Sequence, residues 1–203
     1  MKLSKPAISR LLQIVRFLEQ QKNEVVTSSV LENVTGYPSH TIRKDFSLLK
    51  GDFSTTNGYQ CAALVKTIRE ALGLNAECRC CVVGLGRLGS AFLSYEGLKN
   101  TKFEILAGFD SNVNRIEILQ SDFPLYPTFK MKDVIPRLKI EYALLCVPPE
   151  KAQAAAEKVI ECGIVGIVNY APVMLQVPAN VLVENVYVAD ALSALVATRN
   201  ITE

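Results

Sequence analysis

Apolar residues in the first fifty positions recur at helical spacing. Ile8, Leu11, Leu12, Val15 and Leu18 predict one face of a long helix, with Arg10, Arg16 and Glu19 lying off it. Thr27-Ser28-Ser29 predicts the N-cap of a short helix through Val34, and Gly36 its C-terminal stop. A third helix is expected after Tyr37-Pro38, capped by Ser39, with Ile42, Phe46 and Leu49 pointing inward at i, i+4 and i+7. That stripe leaves His40, Thr41, Arg43, Lys44 and Ser47 facing outward. Two short helices joined by a tight turn after a longer one form the helix-turn-helix pattern. The turn-rich GDFSTTNGY from Gly51 to Tyr59 predicts a β-hairpin wing, and Gln60 to Leu72 another amphipathic helix, ended by Gly73.

From Cys80 onward the pattern alternates between apolar strands and helices. Strands are expected at 80–84, 103–109, 142–147, 165–169 and 181–188. Helices are expected at 86–97, 130–139 (with Pro136 weakening its middle), 150–162 and 189–199. Such alternation implies a parallel sheet covered on both faces. The boundary falls near LNAEC, 74–78, so the segments expected are 1–77, 78–188 and a terminal helix over 189–203. The fold class is therefore α/β: a winged helix-turn-helix domain, then a parallel-sheet domain, then a C-terminal helix.

Composition changes this picture little. The chain has 203 residues, 49% of them hydrophobic, with 22 Lys and Arg against 20 Asp and Glu. These values suit a globular protein rather than a disordered one. No apolar run approaches the roughly 18 residues of a membrane span. The N-terminus lacks the apolar core and cleavage site of a signal peptide, so the expected location is the cytoplasm, with no membrane partner. Charge is uneven: residues 1–60 carry eight Lys and Arg against five Asp and Glu, while the remainder is close to balanced. Cys80, Cys81 and Cys146 lie in apolar runs that read as central strands, where cysteine acts as a small hydrophobe. No histidine lies near Cys78-Arg79-Cys80-Cys81, so buried thiols are expected there and no metal site.

The most informative chemistry is VVGLGRLG. Gly84, Gly86 and Gly89 match G-x-G-x-x-G between a strand and a helix, the turn that holds a dinucleotide pyrophosphate in a Rossmann-like domain. Arg87 and Leu88 fill its variable positions. Asp110 ends the next strand, FEILAGFD, twenty-one residues after Gly89. An acid there accepts hydrogen bonds from the adenosine ribose and repels a 2′-phosphate, which favours NAD(H) over NADP(H). The turns Val147-Pro148-Pro149-Glu150 and Asn169-Tyr170-Ala171-Pro172 end later strands and should line the nicotinamide end.

Hydride transfer to a carbonyl usually needs a proton donor, most often histidine. The only histidine, His40, lies in the helical segment. Tyr95, Tyr170 or Lys151 could substitute, but barely fifteen residues follow the last strand, too few for a substrate domain. No catalytic residues are therefore expected, although an NAD-dependent oxidoreductase with a helical appendage is the rival reading. The outward residues of the third helix are types that read base edges and grip phosphates in a DNA major groove.

Five stretches, SHTIRKDFSLL, VVGLGRLGSAFLSYEG, the strand ending GFD, VPPEKAQAAAEKVIECGIVGIVNYAPV and VPANVLVENV, occur in this order. Together they closely resemble the Rex family of redox-sensing transcriptional repressors, over nearly the whole chain. The resemblance implies a winged-helix domain on a palindromic double-stranded DNA operator and a Rossmann domain that senses NADH against NAD⁺. It also implies a homodimer whose C-terminal helix crosses between the partner's domains. By match, Arg43 and Lys44 would contact DNA. Gly84, Gly86, Gly89 and Asp110 would hold the adenosine half, and Tyr95 would sit beside the cofactor.

The departures from the family are specific. Its wing reads Lys/Thr-Arg-Gly-Val-Gly-Tyr, where this chain has Ser54-Thr55-Thr56-Asn57-Gly58-Tyr59, with Thr55 at the minor-groove arginine. Lys50 replaces a glycine after the third helix, adding a cation toward DNA. Tyr187 replaces the family's switch aspartate, while Arg16, its first-helix partner by match, is kept. A Rex-like DNA-binding protein with a weak or absent redox response is the second alternative.

Overall fold

The computed structural model describes residues 3–99 and 101–202. The chain divides into two compact units, Met1–Ala76 and Glu77–Glu203, and the terminal helix belongs to the second.

In the first unit, α1 (Lys5–Gln20) starts at Ser4, whose hydroxyl accepts from the Ala7 N–H. Its buried stripe is Ala7, Leu11, Ile14, Val15 and Leu18, which share one side of the helix. The expected stripe was rotated: Leu12, about 100° from Leu11, is exposed, and Ile8 is half-buried. Helix α2 (Ser28–Thr35) is capped by Thr27, whose hydroxyl accepts from the Val30 N–H, and Gly36 ends it in the left-handed region at φ 72°. Helix α3 (Ser39–Ser47) differs from expectation at its start. Pro38 occupies the cap position and no side chain caps the helix, so Ser39 is its first residue. The inward stripe of Ile42, Phe46 and Leu49 is buried as expected.

The wing has one strand more than the sequence suggested. Strand β1 (Val25–Val26) pairs antiparallel with β3 (Gly58–Gln60), which also pairs with β2 (Ser54–Thr55). Two residues of strand are too short to show a period of two, so β1 is invisible to pattern reading. Phe46, Phe53 and Tyr59 cluster beneath the wing, with Phe46 edge-on to both other rings. Helix α4 (Cys61–Ala71) completes the unit and buries Cys61, Leu64, Thr67 and Ile68.

One ion pair fixes α3 against α1. The Arg10 guanidinium donates to both carboxylate oxygens of Asp45, from Nε at 2.7 Å and Nη2 at 2.9 Å. The Arg10 side chain retains 16% exposure and Asp45 6%, and the guanidinium lies 5.5 Å from the centre of the Tyr37 ring. The hydrogen bond to Asp45 raises the Arg10 pKa above its ordinary value, against the opposing effect of burial.

The second unit is a six-stranded sheet with order β6-β5-β4-β7-β8-β9 and every neighbouring pair parallel. Its strands are β4 (Cys78–Val83), β5 (Phe103–Asp110), β6 (Leu125–Pro127), β7 (Tyr142–Leu145), β8 (Gly166–Asn169) and β9 (Leu182–Asn185). Strand β6 was not foreseen because three residues, preceded by Pro124 and ending in Pro127, carry no recognisable strand pattern. The order reverses at β4 and β7, which creates the crevice where such sheets bind ligands. One face packs under α7 (Met131–Leu138) and α8 (Pro149–Glu161), burying Phe109, Met131, Ile135, Leu145 and Val159. The other buries Val82, Leu85 and Leu93, with Ile116 from α6 (Val113–Ile118) packed against them. Pro136 sits inside α7 without ending it; the stop is Lys139 at φ 53°.

The helix expected at 86–97 is shorter than its pattern. Helix α5 spans Arg87–Ala91 and gives way to two 3-10 turns, 92–94 and 96–98, with Tyr95 extended between them. The Tyr95 ring folds over Gly97, where any side chain would collide with it. The last strand ends at Asn185 rather than 188, and α9 (Val188–Thr202) starts one residue earlier than expected. Among the described residues, no helix is long and apolar enough to cross a membrane.

Asp45→Ala strands a largely buried cation. The expected loss is about 3 kcal/mol, the lower end for breaking a buried ion pair because Arg10 keeps some solvent. Urea unfolding followed by far-ultraviolet circular dichroism measures it; a loss under about 1 kcal/mol would mean that solvent already screens the pair.

Candidate functional site

At the carboxyl ends of the central strands, a groove of about 780 Å³ opens over the β4–α5 turn. Register places the strand ends level, with Val83 opposite both Phe109 and Leu145. The Gly84 N–H donates to the Phe109 carbonyl and the Cys146 N–H to the Val83 carbonyl, each at 2.8 Å, so the sheet's bonding continues into the loops.

The three glycines have different reasons to be there. Gly84 adopts φ 88°, and a side chain on it would meet the Cys146 carbonyl oxygen at 2.7 Å. Gly89 is buried, and a methyl there would collide with the Gly84 carbonyl oxygen, so only glycine lets α5 approach the strand so closely. Gly86 has no atom within 4 Å of where a side chain would start. Its φ of −67° suits any residue, so what glycine preserves there is open space above the loop.

Asp110 organises the edge of the groove. Its Oδ2 accepts from the Leu85 N–H at 2.7 Å and from Arg115 Nη1 at 2.9 Å, while Oδ1 accepts from the Asn112 N–H at 2.7 Å. Burial alone would push this carboxyl up. The two backbone N–H groups and the Arg115 guanidinium outweigh burial and hold it below its ordinary value.

Of the residues read as cofactor-binding, Gly84, Gly86, Arg87, Leu88, Asp110, Val147 and Pro148 line the groove. Gly89 lies behind the loop. Asn169 is buried, and its amide ties the following turn: Nδ2 donates to the Val173 carbonyl and to Asn185 Oδ1, and Oδ1 accepts from the Ala171 N–H. Tyr95 is exposed and off the groove wall. It meets Phe92 edge-on at 5.5 Å, and Phe92 in turn meets Tyr170, which does line the groove.

Lys151 was read only as a candidate proton donor, and the sequence reading missed several further wall residues. Lys151, Ala154, Ala155 and Lys158 form one face of α8, and Thr128, Met131 and Arg115 close another side. The i, i+3, i+4, i+7 spacing on α8 was available as a signal, but nothing in it says which face meets the groove. Four cations (Arg87, Arg115, Lys151 and Lys158) face two acids (Asp110 and Glu150), so the groove suits an anionic ligand. Cys146 also lines it, and burial pushes its thiol up to about 12; Cys80 is raised likewise to about 12 and Cys81 further. Burial also raises Tyr170. Near neutral pH these groups stay protonated and supply no thiolate or phenolate base.

On the first unit, His40, Arg43, Lys44, Ser47 and Lys50 are exposed and Thr41 is half-buried, along and just beyond α3. Arg43 Nη1 donates to Ser28 Oγ at 3.0 Å, and the Ser47 hydroxyl donates to the Lys44 carbonyl at 2.7 Å. In the wing, the Thr55 hydroxyl donates to the Gly58 carbonyl at 3.1 Å. The acid in α3, Asp45, is turned inward onto Arg10, so it does not oppose the outward cations.

Comparison with known proteins covers both units. Residues 75–173 match a family described as "CoA binding domain", and residues 2–47 one described as "Putative DNA-binding protein N-terminus". The redox-sensing transcriptional repressor Rex of Solidesulfovibrio magneticus is 36% identical, over 91% of this chain and 85% of that protein. Rex of Thermus thermophilus is 37% identical, over 96% and 93%. Among solved structures, RSP, a Rex-family repressor, in complex with β-NAD⁺ and operator DNA superposes with a TM-score of 0.87 at 29% identity, covering 100% of this chain and 94% of that one. RSP in complex with β-NADH gives 0.88 at 28% identity, with coverage of 100% and 96%.

The glycine geometry separates packing from ligand space. Gly89→Ala should destabilise the fold by about 1–3 kcal/mol, as overpacking does, whereas Gly86→Ala should cost less than about 1 kcal/mol. Thermal unfolding of both variants checks this; equal losses would show that Gly86 also serves packing.

Proposed function

Because the chain belongs to the Rex family of redox-sensing transcriptional repressors, we propose that its groove and its α3 helix are the two ends of one response. The protein is a DNA-binding repressor that senses NADH against NAD⁺, a regulator and not an enzyme. The cofactor is a signal rather than a reagent. The observation that carries this reading is the match across both units at once, with an anionic-ligand groove on one and an outward basic helix on the other.

In the nucleotide site, the space above Gly86 takes the pyrophosphate, with loop N–H groups and Arg87 facing it. Asp110 meets the adenosine ribose, and the Val147-Pro148 turn with Tyr170 borders the nicotinamide end. Supporting this are the placement of all these residues around one groove and the surplus of cations there. At the DNA, His40, Thr41, Arg43, Lys44 and Ser47 enter the major groove and Lys50 meets a phosphate. The Arg10–Asp45 pair holds the reading face in position. Such a repressor works in the cytoplasm.

Helix α9 supports a homodimer on a palindromic operator. Every described side chain from 185 to 201 is exposed, including Val188, Leu192, Leu195, Val196 and Ile201. A helix apolar on several sides is normally buried, and a second copy supplies that burial with two-fold symmetry.

NADH should bind the full-length wild-type protein, and Gly86→Val should abolish binding while leaving it folded, because the side chain fills the pyrophosphate space. Calorimetry with equal NADH affinity in both proteins would remove this loop from the site. Arg43→Ala or Lys44→Ala should weaken operator binding by about 1–3 kcal/mol where the residue reads a base. Full operator affinity in both variants would exclude α3 as the reader.

Tyr187 favours a second reading, a weak redox response, since it is an uncharged side chain where the resemblance implies an acid. A ligand shifts an equilibrium only by its differential affinity for the two states. A lost charged hydrogen bond, worth about 1.5–3 kcal/mol, would reduce the NADH effect on operator affinity about tenfold or more. Tyr187→Asp should therefore enlarge the effect of saturating NADH. A large wild-type effect that the substitution leaves unchanged or diminishes would place the switch in other residues.

A further inference from the structure

One buried amide joins the turn after β8 to the root of α9. Asn169 ends β8 and is 1% exposed, and the next residue, Tyr170, lines the groove. Asn169 Oδ1 accepts from the Ala171 N–H at 3.0 Å, which fixes the oxygen end of the amide toward the turn. Both donors of the amide then lie on Nδ2. One goes to the Val173 carbonyl at 2.8 Å and the other to Asn185 Oδ1 at 2.9 Å. Neither donor is left for a ligand.

These partners belong to two separate pieces of the chain. Ala171 and Val173 lie in the turn that presents Tyr170 to the groove. Asn185 ends β9 in register with Asn169, and Val186 donates its N–H to the Asn169 carbonyl at 2.9 Å. Tyr187 and then α9 follow directly. Strand β9 is an edge of the sheet and pairs with β8, so the ladder that places the root of α9 ends at Asn169. Ladder bonds hold the strand but do not reach the turn, whereas the amide reaches both. Asn185 returns the contact, its Nδ2 donating to Met174 Sδ at 3.7 Å just past the turn. A buried amide with no spare donor cannot follow a shift of the turn without loosening one of its two bonds. The turn and the helix root are therefore coupled.

We propose that Asn169, through Asn185, is the positioning residue that carries occupancy of the groove to the root of α9. A nucleotide resting on Tyr170 sets the turn, and the amide sets Asn185 with it. This rests on the reading of the groove as an NAD(H) site. Asn185 is exposed and off the groove wall, so it can be changed without touching the nucleotide.

The test is amide hydrogen exchange of the full-length protein with and without saturating NADH, in wild type, Asn185→Ala and Asn185→Asp, with NADH affinity measured by calorimetry. In wild type, NADH should slow exchange about threefold or more both in the glycine loop, 84–90, and at the root of α9, 182–192. Asn185→Ala removes the acceptor for Asn169 Nδ2. It should abolish the NADH effect at 182–192, keep the effect at 84–90, and change NADH affinity by less than about threefold. Asn185→Asp keeps an acceptor oxygen at the same place and should retain both effects. A merely structural role would speed exchange at 182–192 equally with and without NADH, leaving the NADH-dependent ratio intact. The proposal is overturned if wild type shows the effect at 84–90 alone, if Asn185→Ala keeps the ratio at 182–192, or if Asn185→Asp loses it as fully as Asn185→Ala. Failure of wild type to bind NADH would instead overturn the nucleotide reading of the groove, and this inference with it.

Discussion

The three hydrogen bonds on the Asp110 carboxylate hold together the two loops that matter most in the second unit. One oxygen takes the Leu85 N–H, from the middle of the glycine turn, and the other takes the Asn112 N–H, from the turn after β5. The side chain therefore acts as a bracket between consecutive strand ends before any ligand arrives. Glycine packing completes the arrangement, because α5 can approach β4 only while position 89 lacks a side chain, and the turn can pass Cys146 only while position 84 does. The result is a loop fixed from below by backbone contact and from the side by a buried anion, with its upper surface left open. Preorganisation of this kind lowers the cost of ordering the site when a ligand binds.

An analogous anion works in the first unit for a different purpose. Asp45 lies within the helix whose outward side carries Arg43 and Lys44, where an exposed carboxylate would repel phosphate. Turning it inward onto Arg10 removes that repulsion and locks the rotation of α3 about its axis. In both units a buried carboxylate and an arginine define the geometry of a working surface.

What could be read from the sequence follows from the range of the interactions involved. The inward stripe of α3, the caps at Thr27 and Gly36, and the glycine turn depend on neighbours within a few residues, and local spacing shows them. The Arg10–Asp45 pair spans thirty-five residues, and nothing in the pattern distinguishes Arg10 from any other surface arginine. Arg115 is close to Asp110 in sequence, yet its partner depends on how α6 starts. Strands β1 and β6 are too short to show periodicity and exist because a neighbouring strand offers hydrogen bonds. Asn169 and Tyr95 show the limit of reading position alone. Strand-end position and family match put both at the groove, whereas the Asn169 amide is engaged by its own turn, and the Tyr95 ring meets Phe92, which in turn meets the groove residue Tyr170.

The exposed helix α9 has a consequence that lies outside the binding sites. Fifteen residues of isolated helix are marginal in water, and apolar side chains left open invite indiscriminate association. Where α9 pairs as proposed, the chain would depend on meeting its own kind, and folding, survival and occupancy of DNA would all vary with how much of it the cell has made. At low abundance the active species would fall with the square of chain concentration. The amount of protein would then act as a threshold on the response, set by synthesis and turnover and separate from the nucleotide signal.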